Sequence, residues 1–154
     1  MQGVTETEFA PNALLTRAMF ITILYRLEGE PDAAAANFTD VSKDAWYERA
    51  VSWGYENKII SGMSETEFAP DENITREQMA AIIARYAEFK GRDISADADL
   101  TVYSDFDTIS EYAAGALKYT VSNGIMVGKS ESTLNPTDTA TRAEAAAILA
   151  RISE

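Results

Sequence analysis

A mostly all-α fold is predicted, built from three pseudo-repeats of helix, loop and helix, the first of them incomplete. Three observations predict it. The segment Gly3 to Pro11 (GVTETEFAP) returns as Gly62 to Pro70 (GMSETEFAP) and again as Gly128 to Pro136 (GKSESTLNP). Each copy is followed, at the same distance, by a Thr-Arg pair: Thr16-Arg17, Thr75-Arg76 and Thr141-Arg142. After each pair, apolar residues fall at helical spacing. Self-similarity of this kind marks a repeat architecture and outweighs any local signal.

The elements follow in chain order. Beyond Thr16, Phe20, Ile23, Leu24 and Leu27 form one stripe of an amphipathic helix. A second half-motif begins at Phe38-Thr-Asp40-Val41 and runs through Trp46, Ala50, Trp53, Asn57 and Ile59 to Gly62, which reads as a helix near Lys43 to Asn57. Met79, Ile82, Ile83 and Tyr86 repeat the first stripe. Tyr103-Ser-Asp105-Phe106 then leads through Tyr112, Ala116, Tyr119, Asn123 and Ile125 to Gly128, a helix near Ser110 to Asn123. Ala145, Ile148, Leu149 and Ile152 form the last stripe. The Gly-to-Pro segments between helices are too short and turn-rich to be helical, and suit a tight loop or a brief extended pair. The expected division is residues 1–30 (back half of repeat one), 38–90 (repeat two) and 103–154 (repeat three), within one compact unit. Linkers run from Glu30 to Asn37 and from Gly91 to Thr101.

Composition excludes much chemistry. The 154 residues hold no Cys and no His, with 13 Lys+Arg against 25 Asp+Glu and a net charge of -12. Disulfides, thiolate nucleophiles, Ser-His-Asp triads and the usual zinc sites are ruled out, and no metal or other cofactor is expected. So acidic a chain is unsuited to nucleic acid or anionic lipid. No apolar stretch approaches the ~18 residues of a membrane span, so no membrane insertion is expected.

Thr16, Thr75 and Thr141 fit the helix N-cap, with capping boxes at Thr75/Gln78 and Thr141/Glu144 and a broken one at Met19. The adjoining arginines are harder to account for, because the helix dipole disfavours a cation at the first helical position. Either an anion bound at the helix start explains Arg17, Arg76 and Arg142, through free N–H groups and a guanidinium fork, or they pair with acids such as Glu6, Glu65 and Glu131. Arg26, Arg85 and Arg151 are explained by the dipole at helix C-termini. Trp46 and Tyr112 share a repeat position and read as core or as a sugar-stacking platform. Asp40 and Asp105 suit helix capping or a ligand hydroxyl, and Gly62 and Gly128 suit a positive φ at the helix-to-loop turn.

Together Phe38-Thr-Asp-Val41 with Trp46, Ile59-Ile-Ser-Gly62, Phe68-Ala-Pro70, Ile74-Thr-Arg-Glu77 and Ala140-Thr-Arg-Ala-Glu144 resemble the S-layer homology domain. That family occurs as tandem threes on bacterial cell-surface proteins. The resemblance implies a pseudo-threefold helical assembly, location at the bacterial cell wall, and non-catalytic binding of a secondary cell-wall polysaccharide, often one carrying ketal-linked pyruvate. It implies grooves between adjacent repeats that use Arg17, Arg76 and Arg142, with Trp46, Tyr112, Gly62 and Gly128 contributing. Alternative readings are a helical protein–protein scaffold and, with two facing carboxylates, a small glycosidase.

Repeat one has no front half-motif, because Met1 falls just before Gly3. Its apolar stripe is therefore expected to lack a cover, favouring a homodimer through repeat one. For the same reason the groove using Arg17 is expected to be the weakest.

Overall fold

The structure is a computed structural model that describes Met1 and residues 7–153. Among the described residues five α-helices follow one another: α1 Arg17–Leu27, α2 Glu48–Glu56, α3 Arg76–Phe89, α4 Glu111–Ser122 and α5 Arg142–Ile152. Two single 3-10 turns, Leu100–Val102 and Phe106–Thr108, precede α4. Among the described residues there is no strand, only three isolated antiparallel bridges: Leu14 with Thr141, Thr16 with Asn73, and Thr75 with Thr139.

Local chemistry sets the helix starts. Thr16, Thr75 and Thr141 are the N-caps of α1, α3 and α5, each hydroxyl accepting the backbone N–H three residues on. Both expected capping boxes are present, and Met19 leaves α1 without one. The helix expected from Lys43 begins later, at Glu48. Asp44 sits at φ 67, which breaks helical geometry before Trp46 is reached.

The three repeats are stitched together at the residue before each Thr. Leu15 N–H donates to Ala140 C=O, Ala140 N–H to Ile74 C=O, and Ile74 N–H to Leu15 C=O, which closes a ring of backbone hydrogen bonds. The first two N–H groups of each helix are also taken. Arg17 and Ala18 donate to Glu72 and Pro70, Arg76 and Glu77 to Asp138 and Pro136, and Arg142 and Ala143 to Ala13 and Pro11. With the third N–H on the threonine cap, the donors expected to be free for an anion are already satisfied by the next repeat's loop. This corrects the expectation that free N–H groups at the helix start would help to hold an anion.

One apolar cluster joins all the helices, with Phe20, Ile21, Leu24, Trp53, Phe68, Ile74, Met79, Ile83 and Leu117 fully enclosed. The covers of α1 and α3 come from the following repeat: α2 packs on α1, and α4 packs on α3. The bare stripe expected on repeat one is therefore not found. Phe20 and Leu24 are buried and Ile23 partly so, leaving only Leu27 largely exposed. This removes the physical motive for a dimer through α1. The uncovered helix is α5. On α3, Glu77, Ala80, Ala81 and Ala84 are all buried. Their repeat equivalents on α5 are Ala143, Ala147 and Ala150, which are exposed, and Ala146, which is half-buried.

Candidate functional site

The repeat arginines lie inside the protein. Arg17 and Arg76 are each 4% exposed and Arg142 is 8% exposed. Each reaches from its own helix start to the loop of the next repeat: Arg17 Nε donates to Phe68 C=O at 2.9 Å, Arg76 Nε to Leu134 C=O at 3.0 Å, and Arg142 Nε to Phe9 C=O at 2.9 Å. Arg17 also lies over the Phe68 ring and Arg142 over the Phe9 ring, at 4.7 Å and 5.0 Å from the centroids. Where Leu134 replaces the phenylalanine, Arg76 instead forms an ion pair with Glu144 at 3.1 Å and donates to Val127 C=O. The cation that the dipole disfavours is thus held by carbonyls and rings of the neighbouring repeat. Of the acids expected to pair with them, Glu65 and Glu131 form no ion pair among the described residues, and Glu6 lies outside them.

Two grooves open beside these arginines. The first, of about 450 Å³, is lined by Arg17, the Ser61-Gly62-Met63 loop, the α3 residues Glu77, Gln78 and Arg85, and Tyr112 from the start of α4. The second, of about 420 Å³, is lined by Arg76, the Val127-Gly128-Lys129 loop and the α5 residues Glu144, Ala147 and Arg151. Tyr112, 55% exposed, walls the first groove, and no aromatic lines the second. The groove using Arg17 therefore has the fuller set of walls, contrary to expectation, because its aromatic wall comes from repeat three rather than repeat one.

Trp46 is 60% exposed, so the core reading fails for it as for Tyr112. Its ring meets Tyr47 edge-on, and it lines neither groove. The repeat equivalents of Ser61, Gly62 and Met63 are residues 2–4, Gly3 among them, which lie outside the described residues.

Asp40 and Asp105 cap no helix with their side chains. Both oxygens of Asp40 accept from the Phe68 and Ala69 N–H groups, and both oxygens of Asp105 accept from Leu134 and Asn135. Those loops need the restraint, since Ala69 and Asn135 are held at φ 58 and φ 53. Burial raises the Asp105 carboxyl pKa, but the two N–H donors and the charge of Arg76 outweigh it and hold the carboxyl below the usual range. These aspartates shape the loop behind each groove.

Gly62 and Gly128 do not take up a positive φ; that conformation falls earlier, at Lys58 and Gly124. The glycines are needed for space. A Cβ on Gly62 would collide with the carbonyls of Ser64 and Glu67 and the ring of Phe38, and one on Gly128 would come within 2.5 Å of Ser130 C=O. Gly62→Ala is expected to lose about 1–3 kcal/mol in urea unfolding, because the obstacles are mostly backbone. Gly115→Ala, on a helix with nothing near its Cβ, is expected to hold or gain stability in the same assay.

Two groove residues were not singled out from the sequence. Glu77 is buried and accepts from the Ser110 N–H, the Ser110 hydroxyl and the Tyr112 hydroxyl, so it fixes the start of α4 against α3. Burial, then the Glu77 charge, pushes the Tyr112 phenol up to about 12. Arg85 lines the first groove and donates to the Ser61 hydroxyl at 3.3 Å. Because α3 continues to Phe89, Arg85 is not in its last turn, and the dipole does not account for it. Its recurrence with Arg26 and Arg151 was the available signal.

This fold and site define a class: a helical repeat module whose grooves are headed by buried arginines reaching from one repeat to the next. The sequence profile of the S-layer homology domain matches residues 37–80 and 102–146, and the chain belongs to that family. It is 34% identical over all of its length to the surface-layer 125 kDa protein of Lysinibacillus sphaericus, covering 13% of that protein. It is 34% identical over 97% of its length to an amylopullulanase of Thermoanaerobacterium thermosulfurigenes, covering 8% of it. It is 31% identical over 97% of its length to an endoglucanase of Bacillus sp. (strain KSM-635), covering 16%. The chain thus spans a small part of each of these relatives.

Proposed function

We propose that this chain is a non-catalytic module that anchors a larger protein at the bacterial cell surface by binding secondary cell-wall polysaccharide. The glycan feature recognised is a carboxylate such as ketal-linked pyruvate. One observation carries the reading: the buried Arg17 guanidinium lines an open groove beside the exposed Tyr112 ring. A carboxylate would meet the cation while the sugar ring lies along the aromatic face. A local pocket of this kind suits an acidic chain, because recognition does not depend on the net field. The relatives support a shared non-catalytic role. A surface-layer protein and two differently named enzymes have this segment in common, so it does not account for either enzyme's name. Among the described residues no helix is long and apolar enough to cross a membrane.

The test is co-sedimentation with purified bacterial cell walls. The chain is expected to pellet with walls that carry their polysaccharide and to stay in the supernatant with walls stripped of it. Removing only the pyruvyl groups is expected to abolish most of the retention. Equal retention on stripped walls, or none on intact ones, would point to the protein–protein scaffold instead.

A further inference from the structure

The two grooves share an arginine, a glycine loop and a helix wall, but the second alone sets a carboxylate against its arginine. We infer that, of these two grooves, the one at Arg17 is open to a carboxylate, and that in the Arg76 groove Glu144 already fills the place a ligand anion would take. The inference rests on the glycan-binding reading above and goes further, by assigning the selection between grooves to one side chain on each helix, Gln78 or Glu144.

Gln78 and Glu144 occupy the same position, the third of α3 and of α5. Both reach back to the N-cap backbone: Gln78 Oε1 accepts from Thr75 N–H at 3.1 Å, and Glu144 Oε2 from Thr141 N–H at 2.8 Å. The cap pins one head atom of each side chain, and the other head atom faces the groove. In Glu144 it is an oxygen, 3.1 Å from Arg76 Nη1 and 3.7 Å from Lys129 Nζ. In Gln78 it is the amide nitrogen, 3.9 Å from the Met63 sulfur. An N–H donor cannot neutralise a guanidinium.

Met63 and Lys129 are themselves repeat equivalents. One groove therefore sets both Arg76 and Lys129 against Glu144, with Lys129 also 3.3 Å from Asp138. The other holds Arg17, Met63 and Gln78. Among the described residues no carboxylate lies within ion-pair distance of Arg17; its contacts are Phe68 C=O, Ser61 C=O and the Phe68 ring. Glu77 lines the same groove, but its carboxylate receives Ser110 and Tyr112. Burial, the largest influence on Arg17, lowers its pKa from the ordinary value, as expected of an enclosed and undercompensated cation. A carboxylate arriving there forms charge-assisted hydrogen bonds without displacing another. One arriving at Arg76 must first separate it from Glu144 and leave that carboxylate with only the more distant Lys129.

The two side chains can be exchanged without losing the cap, since each already forms a capping box in this fold. The probe is a monosaccharide glycoside bearing ketal-linked pyruvate, with its pyruvate methyl ester as the uncharged control, followed by amide NMR shifts on titration. In the wild-type chain the acid is expected to shift Ser61, Gly62 and Met63 and to leave Val127, Gly128 and Lys129 unmoved. Glu144→Gln should bring the second loop into the titration, and Gln78→Glu should weaken the response of the first by about tenfold or more. The ester should shift neither. Equal responses of both loops in the wild type, or a Gln78→Glu variant that binds as before, would overturn the inference while leaving the anchoring reading in place. Silence of both loops with retention on intact walls overturns the inference alone; silence without retention overturns both. Thermal melts confirm that each variant is folded.

Discussion

Arg76→Ala is expected to lower the stability of the chain by about 3–5 kcal/mol, the cost of removing one partner from a buried ion pair. The side chain is enclosed and makes three polar contacts, with Leu134 C=O, Val127 C=O and Glu144. Each belongs to repeat three, so the substitution leaves two carbonyls without their donor and Glu144 with only the more distant Lys129 as a cation, at the contact between repeats. Urea unfolding followed by circular dichroism reads the loss directly. The reading of Arg76 as an anion ligand has a different consequence: the variant would keep its fold and lose only binding, on the premise that the arginine faces a ligand. A loss below about 1 kcal/mol would restore that premise, at the level of an ordinary surface interaction.

Trp53→Ala is expected to cost a further large amount, about 3–5 kcal/mol, while Trp46→Ala stays within about 0.5 kcal/mol. Trp53 is 2% exposed and packs against Tyr25 and Phe89, bringing α2 onto α1 and the end of α3. Trp46 lies before α2 with most of its ring in solvent. Thermal melts of the two variants side by side decide the assignment, and an unstable Trp46→Ala would return that ring to the core. Wall binding by Trp46→Ala is then a clean measurement, because its fold is intact.

The two tryptophans illustrate where sequence reasoning reaches its limit. Both belong to the same half-motif, both are large, and nothing within a few residues of either says which is enclosed. Asp44 separates them: its left-handed backbone delays α2 to Glu48, leaving Trp46 on the preceding turn and Trp53 on the buried helical face. The aspartates misled for a similar reason. Asp40 and Asp105 stand ahead of helices and look like caps, yet their oxygens are used by loop amides far along the chain.

What the sequence determined by itself is the repeat, the helices after each Thr-Arg and the caps that start them. These depend on contacts within about four residues, so residue identity suffices to specify them. The Thr75/Gln78 and Thr141/Glu144 boxes were legible for that reason. What the tertiary structure decided is which surfaces meet. The back helices α1 and α3 are each covered by the front helix of the repeat after them, and α5 presents its alanines to solvent. The same offset carries Arg17 to the loop at Ser61 and brings Tyr112 from repeat three to wall the groove. Periodicity records that a helix has an apolar face; it holds no record of the partner, because that choice is made between residues distant in the chain and adjacent only after folding.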